Sequence, residues 1–240
     1  YGAGSNFIGT MKNITPEGEG QQWISGGDIT IGSGVNLNGT GLGFPVGSGI
    51  CGSDRGGCHA GNGLILEFWE ITSIYGNASA PTSLGSGAQN YGKGGSAIKL
   101  QGSNVHIDGT IDMDGFSTSS SRPGAGGSIW LKADTISGTG ILQAKGLPIT
   151  YPSGGGYIRL EYGTNITYTG VIDVSGGGNA AETLGRAGVV SFTDSIWPGD
   201  WNLTGNIGLL GGDYGEGNVF NVRGYFDTNR YNVTVYGDFL

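Results

Sequence analysis

Short stretches in which apolar and polar residues alternate recur along the middle of the chain. Residues 94–100, 126–132 and 155–161 each open with two glycines and continue as an alternating run. In the first unit, two further short runs follow at 104–109 and 110–115. Because successive side chains of a strand point to opposite faces, this period of two predicts β-strands. The inward positions are Ile98 and Leu100, Ile129 and Leu131, and Ile158 and Leu160; Lys99, Lys132 and Arg159 fall outside or at strand ends.

The glycine that opens each unit recurs at near-equal intervals. It stands at Gly63, Gly95, Gly127, Gly156, Gly188 and Gly217, one unit apart each time. Units of three short strands at such a period are typical of a coiled repeat architecture. We therefore predict an all-β fold, a right-handed parallel β-helix (β-solenoid) of about six coils of 29–32 residues, with three short strands per coil. The alternative is an antiparallel sandwich with strands of similar length.

The repeat divides the 240 residues into three predicted parts. Residues 1–62 form an N-terminal cap with the first strands and a disulfide loop, 63–217 form the coils, and 218–240 form a terminal coil or cap. The chain begins at Tyr1 without a signal peptide, which we interpret as the mark of a processed or trimmed product.

Composition narrows the possible classes of protein. The chain has 53 glycines but only 7 prolines and no Gly-X-Y period, which excludes a collagen triple helix. Aromatic residues make up 10% of the chain, more than a disordered segment contains. The net charge of −8, without basic clusters, argues against nucleic acid as a partner. No apolar run approaches the roughly 18 residues that a membrane span requires.

A family resemblance rests on residues 63–178. The runs at 74–76, 81–87, 95–100 and 107–111, continued at 127–131 and 155–160, resemble a glycine-rich module of large extracellular and cell-surface proteins of protists and bacteria. Proteins similar to those of the mastigonemes, the tubular flagellar hairs of stramenopile algae, are among them. The resemblance implies a surface or filament role and names no catalytic residue. The EGF-like segments that accompany the module in mastigoneme proteins do not occur in this chain.

The two cysteines, Cys51 and Cys58, are separated by a glycine-rich loop. Six intervening residues bring two Cα atoms within reach of a disulfide. A zinc site would need four ligands, and only His59 is adjacent, so a disulfide is the favoured interpretation over a metal site. A disulfide indicates an oxidising compartment.

Glycosylation signals are more numerous than a chain rich in Ser and Thr gives by accident. The Asn-X-Ser/Thr sequons lie at Asn13, Asn38, Asn77, Asn165, Asn202 and Asn232. We predict N-linked glycans on a secreted protein.

An enzyme would need clustered carboxylates. The best candidates are Asp108, Asp112 and Asp114, with Asp134 on the next repeat and Asp173 at the position that matches Asp112. Aspartate beside glycine is also ordinary turn chemistry, so we predict no enzymatic activity, no catalytic residue, no metal and no cofactor. His59 and His106 leave few options for a Ser-His-Asp triad.

Two glycine-rich runs imitate phosphate-binding loops. Residues 47–52 fit Gly-x-Gly-x-x-Gly, and 87–93 nearly fit a Walker A loop, but neither opens a predicted helix. A regular ice-binding or sugar-binding face would need Thr167 and Thr169 to recur from repeat to repeat, which they do not.

These observations lead to a functional hypothesis. We expect a structural extracellular glycoprotein, a subunit of a surface filament, appendage or coat that assembles by stacking of coils or by strand donation. Its partners would be copies of itself or related subunits and covalent glycans. The alternative is a polysaccharide-binding or polysaccharide-cleaving module.

Overall fold

A computed structural model describes residues 27–52, 56–63, 74–147, 149, 151–177 and 185–193 with their side chains, and residues 5–6, 21–24, 201–204, 207–209, 220–223 and 226–227 as strands only. Every regular element in these ranges is a β-strand. Within the same part of the chain, no helix is long and apolar enough to cross a membrane. The expectation of a mostly β protein is therefore confirmed.

The strands follow one another along the whole chain. They are β1 (Ser5–Asn6), β2 (Gln21–Ile24), β3 (Ile29–Ile31), β4 (Asn36–Asn38), β5 (Gly92–Lys93), β6 (Ala97–Gln101), β7 (Asn104–Ile107), β8 (Thr110–Asp112), β9 (Phe116–Ser117), β10 (Ser128–Gly138), β11 (Ile141–Gln143), β12 (Tyr157–Tyr168), β13 (Val171–Asp173), β14 (Gly188–Phe192), β15 (Trp201–Thr204), β16 (Ile207–Leu209), β17 (Phe220–Arg223) and β18 (Phe226–Asp227).

Three sheets contain these strands. The large sheet has ten strands and runs in the order β1-β3-β7-β10-β12-β14-β16-β18, with β6 also paired to β10 and β2 paired to β6. The small sheet has six strands, in the order β17-β15-β13-β11-β8-β4. All pairs in these two sheets are parallel, for example β10 with β12 and β11 with β13. The third sheet is the antiparallel pair of β5 and β9.

The predicted fold class, a right-handed parallel β-helix of about six regular coils with three short strands each, is wrong. The fold combines two parallel sheets with a separate antiparallel pair, and the sequence intervals between paired strands are uneven. Ser128 pairs with Ala97 on one side and Tyr157 on the other, each one repeat length away in the chain. Gln21, however, pairs with Ile98, more than two repeat lengths away, and Ile207 pairs with Phe226 at less than one repeat length. The regular spacing of the glycines therefore predicts strand pairing in the centre of the chain but not at either end.

The three-strand unit fails for a local reason. No glycine stands between Leu131 and Gly138, so nothing in that run favours a turn, and β10 continues for 11 residues through two of the predicted strands. Strand β12 also spans two of the predicted strands, over 12 residues, although it contains Gly163. That glycine lies at the irregularity in its pairing with β10 and does not end the strand. The register between these two strands shifts between Ala133 and Thr135, where a β-bulge absorbs the extra residue of the longer strand.

The inward faces of the large sheet and the small sheet share one apolar interior. The predicted inward residues Ile98, Leu100, Ile129, Leu131 and Leu160 are at most 1% exposed, and each stacks on its equivalent in the neighbouring strand. The small sheet contributes residues such as Leu142 to the same cluster. Each such aliphatic side chain stabilises the fold by about 1.5–3 kcal/mol through burial.

A second packed region lies along the connections and contains almost no side chains. We call it the glycine layer, and it comprises Gly43, Gly57, Gly61, Gly85, Gly94, Gly124, Gly126 and Gly154. Backbone hydrogen bonds link these segments, such as Gly154 N to Gly57 O at 2.9 Å and Gly126 N to Gly154 O at 3.1 Å. A Cβ at Gly94 would lie 1.7 Å from Gly85 O, and one at Gly154 would lie 1.8 Å from Gly61 O. The chains therefore approach more closely than any side chain permits.

Candidate functional site

The outer face of the small sheet aligns polar residues of neighbouring strands. Asp112, at the end of β8, pairs in register with Asn38 of β4 and Gln143 of β11, and Gln143 pairs with Asp173 of β13. All four side chains are half-buried, while their neighbours in the strands point into the apolar interior. The period of two thus places Asp173 in the same column as Asp112, as predicted from the sequence.

Asp114 lies beside this column, two residues after Asp112, and is nearly enclosed. It is 7% exposed, and its Oδ1 accepts a hydrogen bond from the backbone N–H of Lys145 at 2.7 Å. Its Oδ2 lies 3.4 Å from Lys145 Nζ and accepts a bond from Gln143 Nε2 at 3.3 Å. Burial first, and then the charge of Asp112, raise the pKa of Asp114 to about 7, although Lys145 opposes the shift.

A carboxyl group of this kind exchanges its proton near neutral pH. The backbone N–H of Asp114 donates to Asp112 Oδ1 at 3.0 Å, and the charge of Asp112 acts on the carboxyl group of Asp114. A protonatable acid beside a second carboxylate is the arrangement that general acid–base chemistry uses. The remaining predicted members are elsewhere: Asp134 lies exposed on β10 of the large sheet, and Asp108 belongs to a separate cluster.

That separate cluster is a hydrogen-bonded line of Ser137, His106 and Asp108 on the large sheet. His106 Nε2 donates to Asp108 Oδ2 at 2.8 Å, because an ionised carboxylate can only accept. His106 Nδ1 then accepts from Ser137 Oγ at 2.9 Å. Thr139 holds the other carboxylate oxygen through its N–H and its hydroxyl, at 3.0 and 3.1 Å. Hydrogen bonds, first from His106, lower the pKa of Asp108.

The sequence pattern alone did not single out this line, although its residues are one repeat apart. Ser137 and His106 pair across β10 and β7, one repeat apart in the chain, and Asp108 follows His106 by two positions. The side chains of His106 and Asp108 are 42% and 35% exposed on an open sheet face. Solvent therefore reaches the line, which lacks the enclosure that strengthens a catalytic charge relay.

The second histidine, His59, is buried against the glycine layer. Its Nδ1 donates to Gly126 O at 2.8 Å, so its Nε2 accepts from Ser83 Oγ at 2.8 Å. The rings of Tyr75 and Tyr157 contact it with centroids at 4.8 and 4.9 Å. Burial lowers the pKa of His59 to about 4, so it is neutral at physiological pH. It joins three segments of the chain and is not oriented toward the cysteines as a metal ligand.

Cys51 and Cys58 form a disulfide with a Cα–Cα distance of 5.6 Å. Both residues are buried, and Cys58 N donates to Ser86 Oγ at 3.0 Å. Among the residues that the structure describes, no group of three or more His, Cys, Asp or Glu side chains is placed to hold a metal ion.

The predicted glycosylation sites are unequally placed. Asn77 and Asn165 are exposed and Asn38 is half-buried. Asn202 lies in β15, whose side chains are outside the described part, and Asn13 and Asn232 are outside the described residues altogether. Asn77 Oδ1 accepts from Ser79 N, and Asn38 Oδ1 accepts from Thr40 N, both at 2.9 Å. The sequons at Asn77 and Asn38 thus each form a tight local turn.

No protein-family model, curated protein or solved structure matches the chain. The resemblance to extracellular glycine-rich modules stays a prediction from the sequence.

Proposed function

We propose that the chain is a structural subunit of an extracellular filament, appendage or coat. One observation carries the proposal: parallel strand pairing runs from end to end of both sheets, from β1 to β18 in the large sheet and from β4 to β17 in the small one. Among the described strands, each of these terminal strands pairs on one side only. The other side offers N–H and C=O groups to a further strand.

Edge pairing between copies would extend the same sheets. A contact between the two different ends of a subunit is heterologous, and repetition of such a contact makes an open polymer. The pairing needs no special side chains, because backbone groups supply the hydrogen bonds. Copies of the chain, or related subunits, are therefore the partners that we propose.

The disulfide and the sequons support an extracellular location. A disulfide such as Cys51–Cys58 persists in oxidising surroundings. Asn77 and Asn165 are accessible for covalent glycans. Such glycans would cover faces of the subunit and leave the edge strands at its ends to associate.

Negative-stain imaging tests this proposal, with the native material beside the purified chain. Regular filaments are expected, and proline in both edge strands, Asn6→Pro with Asp227→Pro, should abolish them because proline removes a backbone donor. The control is Ser33→Pro. Ser33 is the second residue of a turn in which Gly32 O accepts from Val35 N and Gly34 has a φ of 82°, and this position tolerates proline. Dispersed single particles from both sources would refute the proposal.

A second candidate function has one specific observation in its favour, the pair of Asp112 and Asp114. An acid whose pKa is raised to about 7 beside another carboxylate suits the cleavage of a glycosidic bond. The test is release of reducing sugar from a panel of acidic and neutral polysaccharides. Loss of release in Asp114→Asn, with full release in the control Asp134→Asn, would support it; no release from any substrate would eliminate it.

A further inference from the structure

Three basic residues gather on the outer face of the large sheet. We call Lys99, Lys132 and Arg159, together with Trp130 and Glu161, the basic patch. Lys99 of β6, Trp130 of β10 and Arg159 of β12 are aligned by the strand register, and Lys132 pairs with Glu161 one alternation further on. Neighbouring strands lie about 4.8 Å apart, so the five side chains cover one continuous surface.

Contacts within the patch hold these side chains in place. Glu161 accepts hydrogen bonds from Trp130 Nε1 at 3.0 Å and from Arg159 Nε at 3.4 Å, and it also forms an ion pair with Lys132. Lys99 Nζ lies 4.0 Å from the centroid of the Trp130 ring. Such cation–π and charge-assisted contacts order the long side chains before any ligand arrives.

The patch is not electrically balanced. Three cations face one carboxylate, while the whole chain carries a net charge of −8. The side chain of Lys132 is 41% exposed, whereas that of Arg159 is only 13% exposed. Partial burial first, and then repulsion from the like charge of Lys132, lower the pKa of Lys99, although Glu161 opposes the shift. An anion placed between them would relieve that repulsion.

We propose that the basic patch binds a linear anionic polysaccharide laid across β6, β10 and β12. Lys99 and Lys132 would contact the carboxylate or sulfate groups of the polymer. Arg159 and Glu161 position them, because both are largely covered and bonded within the patch. Two half-buried lysines on neighbouring strands suit a polymer whose anionic groups recur at intervals. Nucleic acid needs a denser basic surface than this acidic chain provides.

Binding of the purified chain to immobilised polygalacturonate, dextran sulfate and neutral dextran tests this proposal. We expect binding to at least one anionic polymer, none to neutral dextran, and weakening with added salt. The two anionic arms distinguish carboxylate from sulfate recognition. Lys99→Gln with Lys132→Gln should weaken binding about tenfold, in keeping with the loss of two charge-assisted contacts.

The matched control is Lys93→Gln with Arg122→Gln, which removes the same amount of charge beside the antiparallel pair. It should bind within about twofold of the unchanged protein. Lys99→Gln alone, which breaks no ion pair within the patch, keeps the test valid if the double variant fails to fold. Equal losses in both double variants, no binding to either anionic polymer, or equally tight binding to polyglutamate would overturn the proposal. The patch lies on β6, β10 and β12, none of which is a terminal strand, so the binding result does not depend on filament formation.

Discussion

The apolar interior and the glycine layer hold the same chain together by opposite means. The interior buries side chains, and its members, such as Ile136 and Leu142, are fully covered by equivalents in neighbouring strands. The glycine layer brings backbone against backbone, as at Gly154 and Gly61, and leaves no volume for a methyl group. A loss of atoms should therefore damage the first region, and a gain of atoms should damage the second.

The largest effect is expected from Gly154→Ala. The new Cβ would lie 1.8 Å from Gly61 O, a backbone atom that cannot move aside without breaking the layer. We expect the free energy of unfolding to fall by more than about 4 kcal/mol, or the chain not to fold. Chemical denaturation measures this effect, and the control is Gly32→Ala, where no atom lies within 4 Å and a change below about 0.5 kcal/mol is expected. Equal stability of the two variants would show that the layer is not tightly packed.

In the interior, Leu131→Ala should lower the free energy of unfolding by about 3 kcal/mol. Leu131 is fully buried between Leu100 and Leu160, so truncation removes buried surface and leaves a cavity. The comparison variant is Ile141→Ala, because Ile141 is 38% exposed and should cost less than about 1 kcal/mol. A similar loss for both residues would contradict the assignment of the interior.

Two buried ionisable groups extend the comparison to pH. The pKa of His59 is lowered from 6.5 to about 4. The contribution of neutral His59 to the free energy of unfolding is therefore fully present above pH 6.5, and about 3 kcal/mol of it is lost as pH falls toward 4. The pKa of Asp114 is raised from 3.8 to about 7, so its effect on stability has the opposite pH dependence. The stabilisation by protonated Asp114 is greatest below pH 3.8 and is lost as pH rises through 7.

Denaturation of two variants between pH 4 and 7.5 separates these contributions. His59→Gln, which keeps a donor and an acceptor, should leave a protein that gains stability as pH falls. Asp114→Asn should leave one that loses stability as pH falls. Parallel pH profiles for the two variants would show that neither group titrates as its surroundings dictate.

The smallest effect is expected from the disulfide beside the glycine layer. Cys51→Ser with Cys58→Ser should lower the free energy of unfolding by about 2 kcal/mol, because a short closed loop limits the unfolded chain only modestly. The same loss should follow when a reductant is added to the unchanged protein, and the reductant should not alter the double variant. A change with reductant in the double variant would point to a different cause.

Much of the candidate chemistry could be read in the sequence, because it follows the period of two. That period placed Asp112 and Asp173 in one column, and the short loop of glycines paired Cys51 with Cys58. Neither pattern revealed the burial of Asp114, which depends on Lys145 and Gln143 from the next repeat. The line from Ser137 to Asp108 and the basic patch were missed for the same reason, since each joins residues of different repeats.

The strands, their inward faces and the all-β character of the chain follow from local sequence, because alternation and turn chemistry act over a few neighbouring residues. The pairing of the strands needed the tertiary structure, since partners lie less than one repeat apart at one end of the chain and more than two repeats apart at the other. The tertiary structure also assigned the role of each glycine. Gly154 is indispensable and Gly32 is not, because the difference lies in which distant backbone approaches each of them.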